Sequence, residues 1–432
     1  MRKTSASELP SLKENSNRTT FHEIHRCEVC KNEDLISVFN LGLHPLCDDL
    51  VPVGDMRICR EYPIEILLCD RCYTAHQRFQ VPKRELFPAS YHYRARFTVD
   101  VLAGMAALVD SCELRFGGLS GKKVIDIGCN DGSLLDVFRA KGAVTLGVEP
   151  TDAYCDAEQK GHPTFNDYLS TALADKIVAA HGQPDFITFT NVFAHIDNLG
   201  GVIASVKRMT GDQTVIVVEN HYLGAVLDRY QFDTFYHEHC RTYSCTSFFH
   251  IADALGVQLL DVEFPARYGG NIRVFLGNTG RTGADKSWRD DSRLREEQLP
   301  AKFTQLRHGV ERWREATTRF IEEQVRTFGR LPAKAFPARA AILMKLLGLD
   351  ENSLSAVYEK PGSLKIGNYV PGTRVPILSD EELFAPPQQT RPILNLAWHI
   401  PNEIRSYMAE HGYRGPIVDI LTADKFTSGR YE

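Results

Sequence analysis

No stretch of about 18 apolar residues occurs in the chain, so the sequence offers no membrane-spanning helix. The opening M-R-K-T-S-A-S-E-L-P lacks the apolar centre of a secretion signal, and the first ~20 residues read as a polar tail. No block of lysine and arginine stands out, and a formal charge of -5 gives no footprint for nucleic acid or an anionic membrane. Also missing is the cysteine framework of a small secreted protein. The 11 cysteines, an odd number spread over 432 residues, suggest a reducing cytoplasm. What is present is a globular composition, 43% hydrophobic and 24% charged, in a length that suggests about three domains. A small-molecule partner is therefore expected, and nothing in the sequence demands more than a monomer.

Four cysteines are grouped. Cys27-Glu-Val-Cys30 and Cys69-Asp-Arg-Cys72 are two C-x2-C pairs separated by residues 31–68. Two intervening residues let a tight turn aim both sulfurs at one tetrahedral ion, so zinc is expected. Four protein ligands leave no open position for water or substrate, which makes the expected role structural. His22, His25 and His76 are nearby alternatives as ligands.

Residues 123–135, K-V-I-D-I-G-C-N-D-G-S-L-L, read as a short strand, a glycine turn and the start of an amphipathic helix. Gly128 and Gly132 permit positive φ and close backbone approach, so an extended ligand can cross the turn at the helix N-terminus. The following strand ends in Glu149, placed to accept ribose hydroxyls. Asp126, Gly128, Asn130 and Gly132 spell D-x-G-x-N-x-G, which lacks the dinucleotide spacing G-x-G-x-x-G. The pattern resembles motif I of class I methyltransferases, with Asn130 replacing the middle glycine, and the resemblance implies S-adenosylmethionine. Asp167 lies in a short acidic turn where adenine could be held. Asn191 and His195 follow a further strand, at the edge where α/β sheets place ligands.

Residues 231–244, Q-F-D-T-F-Y-H-E-H-C-R-T-Y-S, concentrate a phenol, two imidazoles and a carboxylate in Tyr236, His237, Glu238 and His239. Such a cluster has proton-transfer capacity. Tyr91 and Tyr93 alternate and would share one face, as candidates for lining a pocket. A metal pair is the competing reading of H-E-H, since residues two apart on a strand share a face, yet no third ligand is apparent.

The four-cysteine module, D-I-G-C-N-D-G-S-L-L, N-V-F-A-H-I, V-E-N-H-Y-L, Q-F-D-T-F-Y-H-E-H and R-Y-G-G-N-I-R-V occur in one order over residues 27–277. In that order they resemble the zinc-containing sugar C-methyltransferases, which act on TDP-linked 4-keto-6-deoxyhexoses in deoxysugar and antibiotic biosynthesis. The resemblance implies that Gly128, Asn130, Glu149 and Asp167 bind S-adenosylmethionine, with Asp126, Gly132 and Asn191 in the same site. It implies a sugar site of Tyr236, Glu238, His239 and His195 with Tyr91 or Tyr93, and His239 as general base. The chemistry fits these residue types: carbon is a poor nucleophile until the proton beside a carbonyl is removed, so a base and donors for the enolate oxygen are needed. A non-sugar ketone and a non-catalytic, zinc-stapled binding protein are the alternatives.

Residues 286–330 are charged, with apolar residues at helical spacing, and read as a helical connector. The expected fold is α/β: residues 1–88 form a tail and zinc module, 89–285 a Rossmann-like methyltransferase domain, and 331–432 a C-terminal α/β substrate domain. That last domain resembles the family's more loosely. Its opening turn is usually G-A-x-A-K-G, and here it is Ala335-Phe336-Pro337-Ala338-Arg339-Ala340, with a phenylalanine where backbone would approach an anion. Arg339, Lys365 and His237 remain as candidate substrate contacts.

Overall fold

The computed structural model describes residues 21–88, 91, 93–278, 288–384 and 388–428. Its centre is a seven-stranded sheet in the order Gln258–Glu263, Asn271–Gly277, Val215–His221, Phe186–Thr190, Lys123–Ile127, Val144–Val148, Thr164–Phe165. Asn271–Gly277 alone runs opposite in direction to the other six strands. Residue alternation sorts the strands onto two cores. Val124, Phe186, Val215 and Val217 pack on Met105, Leu108 and Phe138, from the helices Val99–Phe116 and Ser133–Ala140. Ile125, Ile187, Phe189 and Val218 pack on the opposite side against Ile177, Val206 and Ile251. Strand order reverses between Lys123–Ile127 and Phe186–Thr190, and the carboxyl ends of both strands meet at that switch point.

A parallel five-stranded sheet, Ile377–Ser379, Leu354–Glu359, Leu331–Lys334, Ile393–Asn395, Ile417–Asp419, forms the C-terminal unit. The cysteine module is an antiparallel sheet of Leu35–Pro45, Glu61–Cys69 and Ala75–Gln77, completed by Arg241–Thr242. That fourth strand belongs to the stretch 231–244. The polar run read from sequence is thus built into the zinc module, two residues beyond His239.

The same stretch is anchored by its apolar residues. Phe232 and Phe235 are buried in one cluster with Phe39 and Ile66 of the module, Phe303 and Trp313 of the helix Leu299–Phe328, and Leu331 and Leu343 of the C-terminal unit. Ring centroids lie 6.1 Å apart for Phe39 and Phe235, and 5.2 Å apart for Phe232 and Trp313. Three chain regions therefore share one core, and the long helix is its spine. Trp313 Nε1 donates to the Ile420 carbonyl at 2.9 Å.

Gly309 lies in that helix where Phe426 crosses it, and a Cβ there would fall 1.9 Å from the Phe426 ring. Alanine raises intrinsic helix preference by about 1 kcal/mol, but overpacking a fixed aromatic costs about 1–3 kcal/mol. Gly309→Ala is expected to lower the urea midpoint, reversing the sign that helix propensity alone gives.

Candidate active site

Each cysteine pair makes the same turn. Lys31 N donates to the Cys27 carbonyl at 3.0 Å and Tyr73 N to the Cys69 carbonyl at 3.0 Å, and Lys31 and Tyr73 both have positive φ. The turns face one another, with Cys27 Sγ 3.4 Å from Cys72 Sγ and Cys30 Sγ 3.5 Å from Cys69 Sγ. All four sulfurs lie within 4.8 Å of one another. Zinc–sulfur bonds of about 2.3 Å span such a tetrahedron, so the residues fit zinc. His22, His25 and His76 stay outside this group, and among the described residues no other cluster has ligand geometry. The H-E-H metal pair is not formed: the segment is a turn, and His237 and His239 bond to different carbonyls.

At the switch point, Gly128 has φ 72° and its absent Cβ would meet Val192 at 2.6 Å. Gly132, φ 73°, caps the helix Ser133–Ala140. Asn130 takes φ 51°, a left-handed conformation that asparagine tolerates. Its amide N–H donates to Glu149 Oε2 at 3.0 Å, and Glu149 Oε1 accepts from Thr151 N and Oγ1. The Asn130 side chain clamps the preceding segment: Oδ1 accepts from Ala95 N at 3.0 Å, and Nδ2 donates to the Tyr93 carbonyl at 3.1 Å. Asp126 sits beneath the loop, accepting from Thr188 Oγ1 at 2.7 Å, and burial pushes its carboxyl up to about 7. Asn191, φ 55°, closes the far side through Asn191 N and the Glu219 carbonyl at 2.8 Å. Asp167 is exposed and caps Tyr168 N at 2.7 Å. Nearby at the strand ends, Thr190 Oγ1 and both amide atoms of Asn220 are buried without a protein partner among the described residues. A tight backbone loop, a strand-end carboxylate and unpartnered polar atoms fit an adenosyl cofactor.

His239 Nδ1 bonds to the Thr234 carbonyl at 2.7 Å, which fixes the tautomer protonated at Nδ1 and leaves the Nε2 lone pair available. Around it stand Tyr236, His195 and His221, with ring centroids at 4.4, 5.0 and 5.4 Å. His195 is itself stacked on Phe87 at 5.2 Å. Burial, opposed by the Thr234 carbonyl and reinforced by Arg339, holds His239 at about 4. Burial also lowers His195 and His221 well below 6.5, so the imidazoles are neutral near pH 7. Glu238 accepts from Tyr91 OH at 3.4 Å, and burial, with Asp48 beside it, pushes its carboxyl well above the usual range.

Other candidate residues lie elsewhere or are committed. His237 turns into the zinc module, its Nε2 3.1 Å from the Tyr62 carbonyl, and has no place at the imidazole cluster. Tyr93 is 41% exposed and meets the site through its carbonyl. Arg339 grips buried Asp233 through Nε at 2.8 Å and Nη2 at 2.5 Å, while Trp398 Nε1 donates to the same carboxylate at 2.9 Å. Lys365 Nζ donates to the Phe336 carbonyl at 2.7 Å. The Phe336 ring does not block the turn, because it is buried in the shared core. Its amide is taken instead by Glu359 Oε1. Sequence reasoning missed His221, His399, Asp233 and Asp48. Of these His221 was within reach, since it ends the strand Val215–His221 at the edge where ligands sit.

Three family models follow one another along the chain: "Putative zinc binding domain" over residues 27–87, "Methyltransferase domain" over 101–262 and "C-methyltransferase C-terminal domain" over 266–418. C-methyltransferase NovU from Streptomyces niveus is 27% identical over 390 residues, covering 88% of this chain and 91% of NovU. A ubiquinone biosynthesis O-methyltransferase from Actinobacillus pleuropneumoniae serotype 5b is 29% identical over 109 residues, 23% of this chain and 46% of its own. Among solved structures, magnesium protoporphyrin IX methyltransferase from Synechocystis PCC 6803 with bound SAH aligns with a TM-score of 0.34 and 15% identity, over 42% of this chain and 84% of that one. With the methyltransferase match lying over the switch-point sheet, the protein is an S-adenosylmethionine-dependent methyltransferase of class I architecture. The flanking matches narrow the class. In their order along the chain, the three matches and the likeness to NovU make the chain similar to zinc-containing C-methyltransferases.

Burial holds His44, His237, His239 and His399 at about 4, against 6.5 when exposed. Above 6.5 these rings are neutral in both the folded and unfolded chain. Below it the unfolded chain takes up protons that the folded chain refuses, so stability falls until about pH 4. These four rings should contribute nothing to the pH dependence of the urea midpoint above about pH 7 and should lower it between 6.5 and 4, partly offset by Asp126, whose raised carboxyl acts in the opposite sense. Replacing one of the four rings with a residue that does not titrate should flatten the fall.

Proposed function

We propose that the enzyme removes a proton from the carbon beside a ketone, with His239 as the base, and methylates that carbon on a 4-keto-deoxysugar carried by a nucleotide. The observation that supports this reading is the fixed tautomer of His239, which leaves Nε2 able to accept a proton on a ring packed among neutral imidazoles at the carboxyl edge of the cofactor sheet. When bound, S-adenosylmethionine would supply an electrophilic methyl group, and the backbone of the Gly128–Gly132 loop, Glu149 and Asn191 would hold the cofactor. His239 Nε2 accepts the α proton, and the Thr234 carbonyl steadies the imidazolium through Nδ1–H. Negative charge then builds on the ketone oxygen. Tyr236, His195 and a protonated Glu238 are the donors disposed to receive it, and Tyr91 orients Glu238. Burial of the whole cluster excludes water, which would reprotonate the carbanion.

His239→Asn is expected to lower turnover by about 10²–10⁴-fold while S-adenosylmethionine affinity stays within a few-fold, because the residue acts in the proton transfer. Single-turnover methyl transfer beside calorimetric titration of the cofactor measures both, and full activity would remove His239 from the role.

One observation favours a second reading of the substrate. Glu359 occupies the Phe336 amide, so the turn offers a carboxylate where a diphosphate would need an N–H. A keto sugar or other ketone without a diphosphate satisfies that geometry. Labelled S-adenosylmethionine with TDP-4-keto-6-deoxy sugars, free keto sugars and non-sugar ketones separates the two, and label in the TDP-linked compounds alone supports the nucleotide.

A further inference from the structure

We infer that Glu28, inside the first zinc knuckle, and Arg241 are positioning residues for His239, so that the metal-bound module sets the orientation of the base. The inference rests on His239 acting as the base, and it concerns how that imidazole is held.

The stretch around His239 is fixed from the module at several points. Arg241 pairs with His76 and Thr242 with Ala75 in the antiparallel ladder, three residues beyond Cys72. Gln77 N donates to the Cys240 carbonyl at 2.9 Å, and Gln77 Nε2 to the Tyr236 carbonyl at 3.2 Å. Those two carbonyls flank His239. Its own N–H donates to the Tyr236 carbonyl at 3.0 Å, closing a turn whose other tie is the bond from Nδ1 to the Thr234 carbonyl. The turn is therefore a small loop clamped on both sides by one glutamine of the module.

Arg241 then locks the register. Its side chain is fully buried, and Nη1 donates to Glu28 Oε2, the carboxylate carried between Cys27 and Cys30. Gln80 Nε2 donates to the same oxygen at 2.8 Å, and Arg241 Nε donates to Tyr243 OH at 3.1 Å. A buried guanidinium that loses its carboxylate is strongly disfavoured, so Arg241 follows Glu28 wherever the knuckle goes. The second knuckle holds the far end: Ser244 Oγ donates to the Cys72 carbonyl at 2.8 Å, and Thr74 Oγ1 lies 3.0 Å from Cys72 Sγ and 2.7 Å from Ser247 Oγ. Both knuckles thus reach the segment that carries the base, each by a buried polar contact. A module serving only to stabilise the fold would not need its charged knuckle residue aimed at this strand.

The test uses the full chain labelled with ¹⁵N in its imidazoles, with the His239 signals assigned from the spectrum of His239→Asn. The parent enzyme should show one tautomer, protonated at Nδ1. In Glu28→Gln, with all four cysteines intact, zinc should remain bound and S-adenosylmethionine affinity should stay within about two-fold. The His239 signals should nevertheless move toward a mixture of tautomers. Arg241→Lys should do the same, and Glu28→Asp should fall between parent and Glu28→Gln. Unchanged His239 signals in zinc-loaded Glu28→Gln and Arg241→Lys overturn the proposal. If Glu28→Gln loses zinc or fails to fold, Arg241→Lys, which leaves both knuckles intact, decides alone. Full turnover in His239→Asn would instead remove the base assignment and leave the positioning result standing.

Discussion

The buried carboxylate of Asp233 ties two parts of this molecule together. It sits near the start of residues 231–244 with no exposure and must be compensated, because an unpaired ion there would cost about 3–5 kcal/mol. Compensation comes from Arg339 and Trp398, on two loops at the carboxyl edge of the C-terminal sheet. One side chain therefore joins the C-terminal unit to the segment bearing His239. Phe232 and Phe235, on either side of it, bury themselves between the module and the long helix, so the ionic tie and the apolar anchor act at the same place.

Around that anchor the site separates charge from chemistry. The ions are paired off: Arg339 with Asp233, Arg241 with Glu28, Arg267 and Arg273 with Glu219. The groups gathered around His239 are neutral imidazoles, phenols and a carboxyl whose protonated form burial favours. Neutral groups in a dry site suit proton transfer to and from carbon, where the charge to be stabilised exists only after the proton has left. The same separation explains why Arg339 and Lys365, attractive as substrate contacts when read from sequence, hold the protein together instead.

Much of this was legible in the chain. Two C-x2-C pairs dictate their own turns, since spacing fixes how two sulfurs can share an ion. The D-x-G-x-N-x-G loop and Glu149 were readable because a strand, a left-handed turn and a helix N-terminus are local events with strict residue requirements. Asn130 was read as a cofactor residue from its place in the motif, whereas its side chain is used to clamp residues 93 and 95. Tyr236, Glu238 and His239 stood out in the sequence because their density was chemically conspicuous, and the structure places Tyr236 and His239 side by side. His221 ends a strand and was overlooked as a lone histidine, although that position is a signal, whereas His399, in the turn before the helix Pro401–Glu410, carries none.

The sequence by itself determined the elements, the ion-binding knuckles and the density of titratable groups in residues 236–239, all of which follow from short-range spacing. Only the tertiary structure decided which way each polar group faces. His237 and His239 are two residues apart and equally polar, yet one bonds inward to Tyr62 and the other closes a turn onto Thr234. Nothing local distinguishes them. The choice belongs to partners supplied by distant strands, because a buried polar group goes wherever its hydrogen bond can be satisfied.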